Sequence, residues 1–116
     1  MPPPFTSFPI PTTLLSAILF PPPNIVSAGG TFILVASNYG DVVVTTSAAV
    51  TVQLPDSTMR GGRPVRVSDV SGNPSITILT TGGQTFLGLT TIPLLTPNGG
   101  FTLWPLATGG WYSVAG

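Results

Sequence analysis

The 116-residue chain has no cysteine, histidine, lysine or glutamate, and its six charged residues are three Arg and three Asp, for a formal net charge of zero. Charged residues make up 5% of the chain, against roughly 25% in an ordinary globular domain. Each absence excludes something. Without His, Cys, Lys or Glu, the usual general bases, thiolate and amine nucleophiles and the common zinc ligands are missing. Without cysteine no disulfide framework forms. Three Arg cannot neutralise enough phosphate for nucleic-acid binding. A neutral, weakly charged surface also favours association over solubility as a monomer. These exclusions point to a non-enzymatic, assembled protein with no cofactor and no metal.

Long apolar runs are also lacking. The longest, Leu14-Leu15-Ser16-Ala17-Ile18-Leu19-Phe20, is closed by Pro21, Pro22 and Pro23. A membrane-spanning helix needs about 20 apolar residues, and a signal peptide needs a basic start that the stretch from Met1 to Phe20 does not have. No membrane role is expected.

Proline and glycine are plentiful, at 14 each. Eight of the Pro fall between Met1 and Pro23, which makes this stretch extended or polyproline-like. Residues 1–30 read as a Pro-rich apolar arm and residues 31–116 as a β domain. Thr12 to Phe20 has the length of a two-turn helix, which orders only against a surface. The arm is too apolar for a solvated linker. Docking on another chain is preferred to packing on its own domain, with Phe5, Phe8, Ile10, Leu14, Leu15, Ile18, Leu19, Phe20 and Ile25 as anchors.

From residue 31 the pattern has a period of two. Val50, Val52 and Leu54 alternate with Thr51 and Gln53, Val65 and Val67 with Arg66 and Ser68, and Ile76 and Ile78 with Ser75 and Thr77. Such alternation in β-branched residues predicts half-buried strands. Ten of the Gly form five Gly-Gly pairs, at 29–30, 61–62, 82–83, 99–100 and 109–110. Each precedes a strand-like hexamer, so the pairs are expected to form hairpin turns. Their spacing is irregular, which argues against a solenoid repeat. The expected fold is all-β: a compact antiparallel sandwich or barrel-like domain of seven or eight short strands.

The polar residues are few. Asp41, Asp56 and Asp69 sit in or beside predicted turns, where a carboxylate usually accepts from nearby backbone amides. Arg60, Arg63 and Arg66 lie close together in the chain and are expected to pair with Asp56 and Asp69 within or between subunits, where they would fix register. Trp104, Trp111 and Tyr112 are expected to cap the core or fill a subunit interface. Exposed aromatics on a β scaffold can also stack on sugars, so a glycan is the lesser alternative.

From Val50 onward the order of pieces is Leu54-Pro55, Val67-Ser68-Asp69, Ser71-Gly72-Asn73, Ile76-Thr77-Ile78, Gly83 through Gly88, and Gly110-Trp111-Tyr112-Ser113-Val114. This order resembles the small β modules of tailed-bacteriophage fibres, spikes and head-decoration proteins. The resemblance runs from Val50 to the end of the chain and excludes the arm. It departs from the pattern in carrying Thr108-Gly109-Gly110 before Trp111 and in its low charge. It implies a homotrimeric virion protein without enzymatic activity, made in the host cytoplasm and carried on the particle surface. The expectation is a capsid-associated decoration (cement) or short head-fibre protein, anchored by its arm to the major capsid protein or another virion protein. The alternative is a tail-fibre or tailspike module that binds a receptor or glycan. The chain is short for a fibre that spans a distance, which favours the head-associated role.

Overall fold

A computed structural model describes residues 21–86, 88–89, 91–93 and 99–115. The described structure is all-β, with nine strands in two sheets and one 3-10 turn, Ser57–Met59. The strands are β1 (Asn24–Val26), β2 (Gly30–Ile33), β3 (Val42–Val44), β4 (Val50–Gln53), β5 (Val65–Asp69), β6 (Ile76–Leu79), β7 (Thr91–Pro93), β8 (Gly100–Pro105) and β9 (Trp111–Ala115). One sheet has the order β1-β3-β5-β8-β9 and the other β2-β4-β6-β7.

The alternation read from the sequence describes the inward face correctly. Val50, Val52, Leu54, Val65, Val67, Ile76 and Ile78 are all buried, and with Val26, Leu34, Val42, Val44, Phe86, Leu103 and Trp111 they form one core between the sheets. Each large apolar side chain contributes about 1.5–3 kcal/mol when fully buried.

Strand direction corrects the antiparallel expectation. β1, β3 and β5 are mutually parallel, and so are β2, β4 and β6. Successive strands alternate between the sheets, so β1–β2, β3–β4 and β5–β6 form three stacked coils. In one sheet Asn24 lies beside Val42, and Val42 beside Val67. In the other Gly30 lies beside Val50, and Val50 beside Ile76. The chain is therefore solenoid-like from Asn24 to Leu79, contrary to expectation. The step from the second coil to the third is longer than the step from the first to the second in both sheets. These unequal lengths hide the repeat, because the connections at both ends of the coils lengthen along the chain, from 27–29 to 45–49 to 70–75 at one end and from 34–41 to 54–64 at the other. Antiparallel pairing enters with β7 on β6, β8 on β5 and β9 on β8.

The glycine pairs are corrected in the same way. Both members of Gly61-Gly62, Gly82-Gly83 and Gly109-Gly110 have positive φ, as read from the sequence. Of these, Gly109-Gly110 closes the short hairpin between β8 and β9, and Gly82-Gly83 lies in the longer connection from β6 to its antiparallel neighbour β7. Gly61-Gly62 lies in the return loop between β4 and β5, which sit in different sheets. Within the hexamer after Gly82-Gly83, Phe86 makes isolated bridges to Leu89 and Trp111 in place of a named strand.

The boundary at residue 31 also moves. β1 and the first residue of β2 belong to the sheets, so β structure among the described residues starts at Asn24. The anchor positions Phe5, Phe8, Ile10, Leu14, Leu15, Ile18, Leu19 and Phe20 lie outside the described residues. Ile25 lies in the middle of β1 and is exposed.

Candidate interaction surface

The strand directions gather most of the scarce charge at one end. Asp41 precedes β3, Arg60 and Arg63 precede β5, Arg66 is its second residue, and Asp56 follows β4, which runs toward the same end. Asp69, the last residue of β5, stands at the opposite end.

Arg60 is 1% exposed and organises that end. Its guanidinium donates to the carbonyls of Asn38 (2.6 Å), Ala36 (3.2 Å), Arg63 (3.3 Å) and Pro64 (3.3 Å). One planar fork thus ties the β2–β3 loop to the β4–β5 loop, a task suited to Arg and not to Lys. Burial pulls the Arg60 pKa below its ordinary value; the neighbouring Tyr39 opposes the shift and Arg63 adds to it. The Tyr39 ring lies 5.3 Å from the Arg60 guanidinium carbon and 4.6 Å from that of Arg63, both in cation–π contact. Pro21, Pro23, Tyr39, Asp41, Arg63 and Pro64 line an open cleft there of about 490 Å³. Arg66 is exposed, and its backbone N–H donates to the Asp41 carboxylate at 3.3 Å.

Asp56 caps the 3-10 turn. One carboxylate oxygen accepts from the Thr58 hydroxyl (2.7 Å), the Thr58 N–H (2.9 Å) and the Gln84 amide (2.7 Å). The two Thr58 bonds, then that from Gln84, hold its pKa below the ordinary value, against a smaller opposing effect of burial. Ser57, beside it, is buried; its hydroxyl donates to the Leu106 carbonyl (2.9 Å) and accepts from the Gly110 N–H (2.8 Å). The β8–β9 hairpin is thereby fastened to the charged end.

At the far end Asp69 is buried and accepts from the Ser71 N–H (2.9 Å), the Ser71 hydroxyl (2.7 Å) and the Asn73 N–H (2.8 Å). The Ser71-Gly72-Asn73 turn is thus held by the carboxylate that precedes it. The backbone-capping expectation fits both Asp56 and Asp69. The structure does not bring Arg60 to Asp69: they sit at opposite ends, and Arg60 serves backbone carbonyls.

The aromatic residues separate. Trp111 is fully buried in the core, and its Nε1 has no hydrogen-bond partner among the described residues. Trp104 and Tyr112 face each other across β8 and β9 on the outer side of the same sheet, each 38% exposed. Their rings are 6.4 Å apart and inclined by 15°. Along that outer face, Arg66, Thr102 and Val114 form the adjacent row of register partners, and Val114 is exposed. Ile25 on β1, Ile33 and Val35 in and after β2, and Met59, Val70 and Leu89 outside the regular strands are also exposed.

Sequence reasoning missed Tyr39 and Asp41 as members of the arginine cluster, because they arrive from a different coil. Of the apolar outer positions it named Ile25, Trp104 and Tyr112 but missed Ile33 and Val35, since the period-two pattern was used to find the core. Among the described residues no group of three metal-ligating side chains exists, and no helix is long and apolar enough to cross a membrane. The chain matches no protein-family model, no curated protein and no solved structure.

Proposed function

We propose that the chain is a non-enzymatic structural protein of a bacteriophage particle, a homotrimeric decoration or short head-fibre protein attached through its N-terminal end. The observation that carries this reading is the apolar outer surface. Ile25, Ile33, Val35, Trp104, Tyr112 and Val114 are all exposed on or beside regular strands in a chain with only six charges. Exposed apolar surface of this kind marks an interaction site, and Trp and Tyr are enriched where partners meet. The ordered run of turn and strand pieces from Leu54-Pro55 to Gly110-Trp111-Tyr112 supports the assignment to phage fibre and decoration modules. Trp104→Ser with Tyr112→Ser tests it by sedimentation velocity. The double variant should dissociate at protein concentrations at least tenfold higher than the unsubstituted chain does; equal association of the two would overturn the role of this face.

One observation favours a second reading. Trp104 and Tyr112 are near-parallel rings on an open sheet face, a platform on which a sugar ring can stack. In that reading the module is the receptor-binding part of a tail fibre or tailspike. Saturable binding of host-surface glycan, lost in the double variant while the oligomer persists, would establish it.

A further inference from the structure

A cyclic trimer is heterologous: each copy presents two different patches, one that gives and one that receives. The first is the set Trp104, Tyr112 and Val114 on the outer side of β8 and β9. The second has to lie on an adjoining side of the molecule, because patches on opposite faces carry successive copies away in an open line and never close a ring. The outer face of the β2-β4-β6-β7 sheet is opposite the aromatic patch and is excluded on that ground. The first coil, β1 and β2, adjoins it.

β1 and β2 are each an edge of their sheet among the described residues, and residues 25–32 line an open groove of about 240 Å³ there. An apolar cavity of about 150 Å³ accommodates benzene, so the groove has room for an aromatic side chain. Phe32, in its wall, packs on the core yet is only half-buried, while its register partner Val52 in the second coil is fully buried. The core is therefore open at this end, and a further ring seated there has Phe32 as a neighbour. Ile25 belongs to the groove, and Ile33 and Val35 continue beyond it in and after β2, each more than half exposed. No charged residue occurs at 25–35, in β8 or in β9.

The rim also supplies hydrogen-bonding groups. The Gly30 and Leu34 N–H groups donate toward the second coil, to the Ala49 and Gln53 carbonyls. Strand geometry therefore turns the N–H and C=O groups of Thr31 and Ile33 the other way. Trp and Tyr each carry a polar atom that needs a partner once buried, and these groups can provide it. Uncharged sheet edges of this kind are normally covered.

We infer that the subunit contact is heterologous, with Trp104 and Tyr112 of each copy seated in the groove formed by residues 25–32 of the next copy. The aromatic pair is the anchor, in keeping with the residue types that dominate such contacts, and the groove completes its apolar core with a neighbour's side chains. This inference rests on the proposed trimer.

Disulfide trapping on the full chain tests it, since the chain has no cysteine of its own. Ile25 and Tyr112 lie on the two edge strands of the five-stranded sheet, four strand spacings or about 19 Å apart, too far for a disulfide within one chain. On mild oxidation the Ile25→Cys, Tyr112→Cys double variant should give covalent dimers and trimers and nothing larger, and neither single variant should cross-link. Ile25→Lys, at an exposed position, should raise the concentration at which the trimer half-dissociates at least tenfold. Adding it to the Trp104→Ser, Tyr112→Ser variant should have little further effect, because both disrupt one contact. Cross-linking of Tyr112→Cys alone would mean that aromatic patches face one another, and would overturn the inference. A ladder continuing past the trimer would mean an open filament and overturn it as well. A trimer by light scattering that forms no covalent links would overturn the groove contact and leave the proposed assembly standing, whereas a monomer would overturn both.

Discussion

Asn73→Ala should be among the most destabilising single changes in the molecule. The side chain is fully buried. Its amide donates to the carbonyls of Thr46 and Ala48, both at 2.7 Å, and its carbonyl accepts from the Ser75 N–H at 2.7 Å. These bonds join the β3–β4 turn to the β5–β6 turn, so one side chain holds consecutive coils together at the end opposite the arginines. At about 1 kcal/mol net for each bond, the loss is about 3 kcal/mol, out of a total stability of roughly 5–15 kcal/mol. The melting temperature should fall by about 10–20 °C. Urea unfolding supplies the free energy, and an unchanged slope with denaturant would show that the native state is intact. Ser71→Ala removes a hydroxyl whose single proton can go to either the Thr46 carbonyl or the Asp69 carboxylate and should cost about half as much. A loss below about 1 kcal/mol for Asn73→Ala would refute the reasoning, because it would mean that the two turns satisfy their carbonyls without the side chain.

Three further outcomes follow from the charged end and the chain's first coil. Arg60→Lys should cost about 2–3 kcal/mol in urea unfolding, since an ammonium cannot reach carbonyls on two loops as the guanidinium fork does. Asp56 titrates below its ordinary value of 3.8, so its contribution is present above the unfolded-state pKa and is lost as pH falls through the folded one. Asp56→Asn should flatten the decline in stability below pH 3.8, and an unaltered acid limb would count against the capping role. Gly40→Ala places a methyl on the Pro22 carbonyl and should cost about 1–3 kcal/mol, with faster hydrogen exchange at the Asn24 amide that donates to Asp41.

The inward face was legible in the sequence because burial on one side of a strand imposes a period of two, whatever the strand pairs with. That same indifference concealed the direction of pairing. Val50, Val52 and Leu54 alternate identically beside a parallel or an antiparallel neighbour, so Val42–Val44 and Ile76–Leu79 gave no warning that the coils stack in parallel. Paired glycines announced turns correctly but not what the turns join. Gly109-Gly110 reverses the chain within a sheet, and Gly61-Gly62 carries it from one sheet to the other. The coil repeat was invisible in the glycine spacing, because the connections between strands differ in length from coil to coil. Arg60, Arg63 and Arg66 were found as a cluster by their spacing. Their meeting with Tyr39 and Asp41 depends on the stacking of separate coils, which local sequence does not encode. The division of roles between Trp111 and Tyr112, core and surface, follows from the alternation along β9. Which of the two faces inward is decided by the partner strand β8, where Leu103 is buried and Trp104 is exposed.

The mass of the full chain in solution, measured by light scattering coupled to size exclusion at micromolar concentration, tests the proposed assembly most directly. The expected result is a single species of three times the 11.9 kDa chain, held by its apolar outer surface and hence little affected by salt. A stable 11.9 kDa monomer under the same conditions would contradict it.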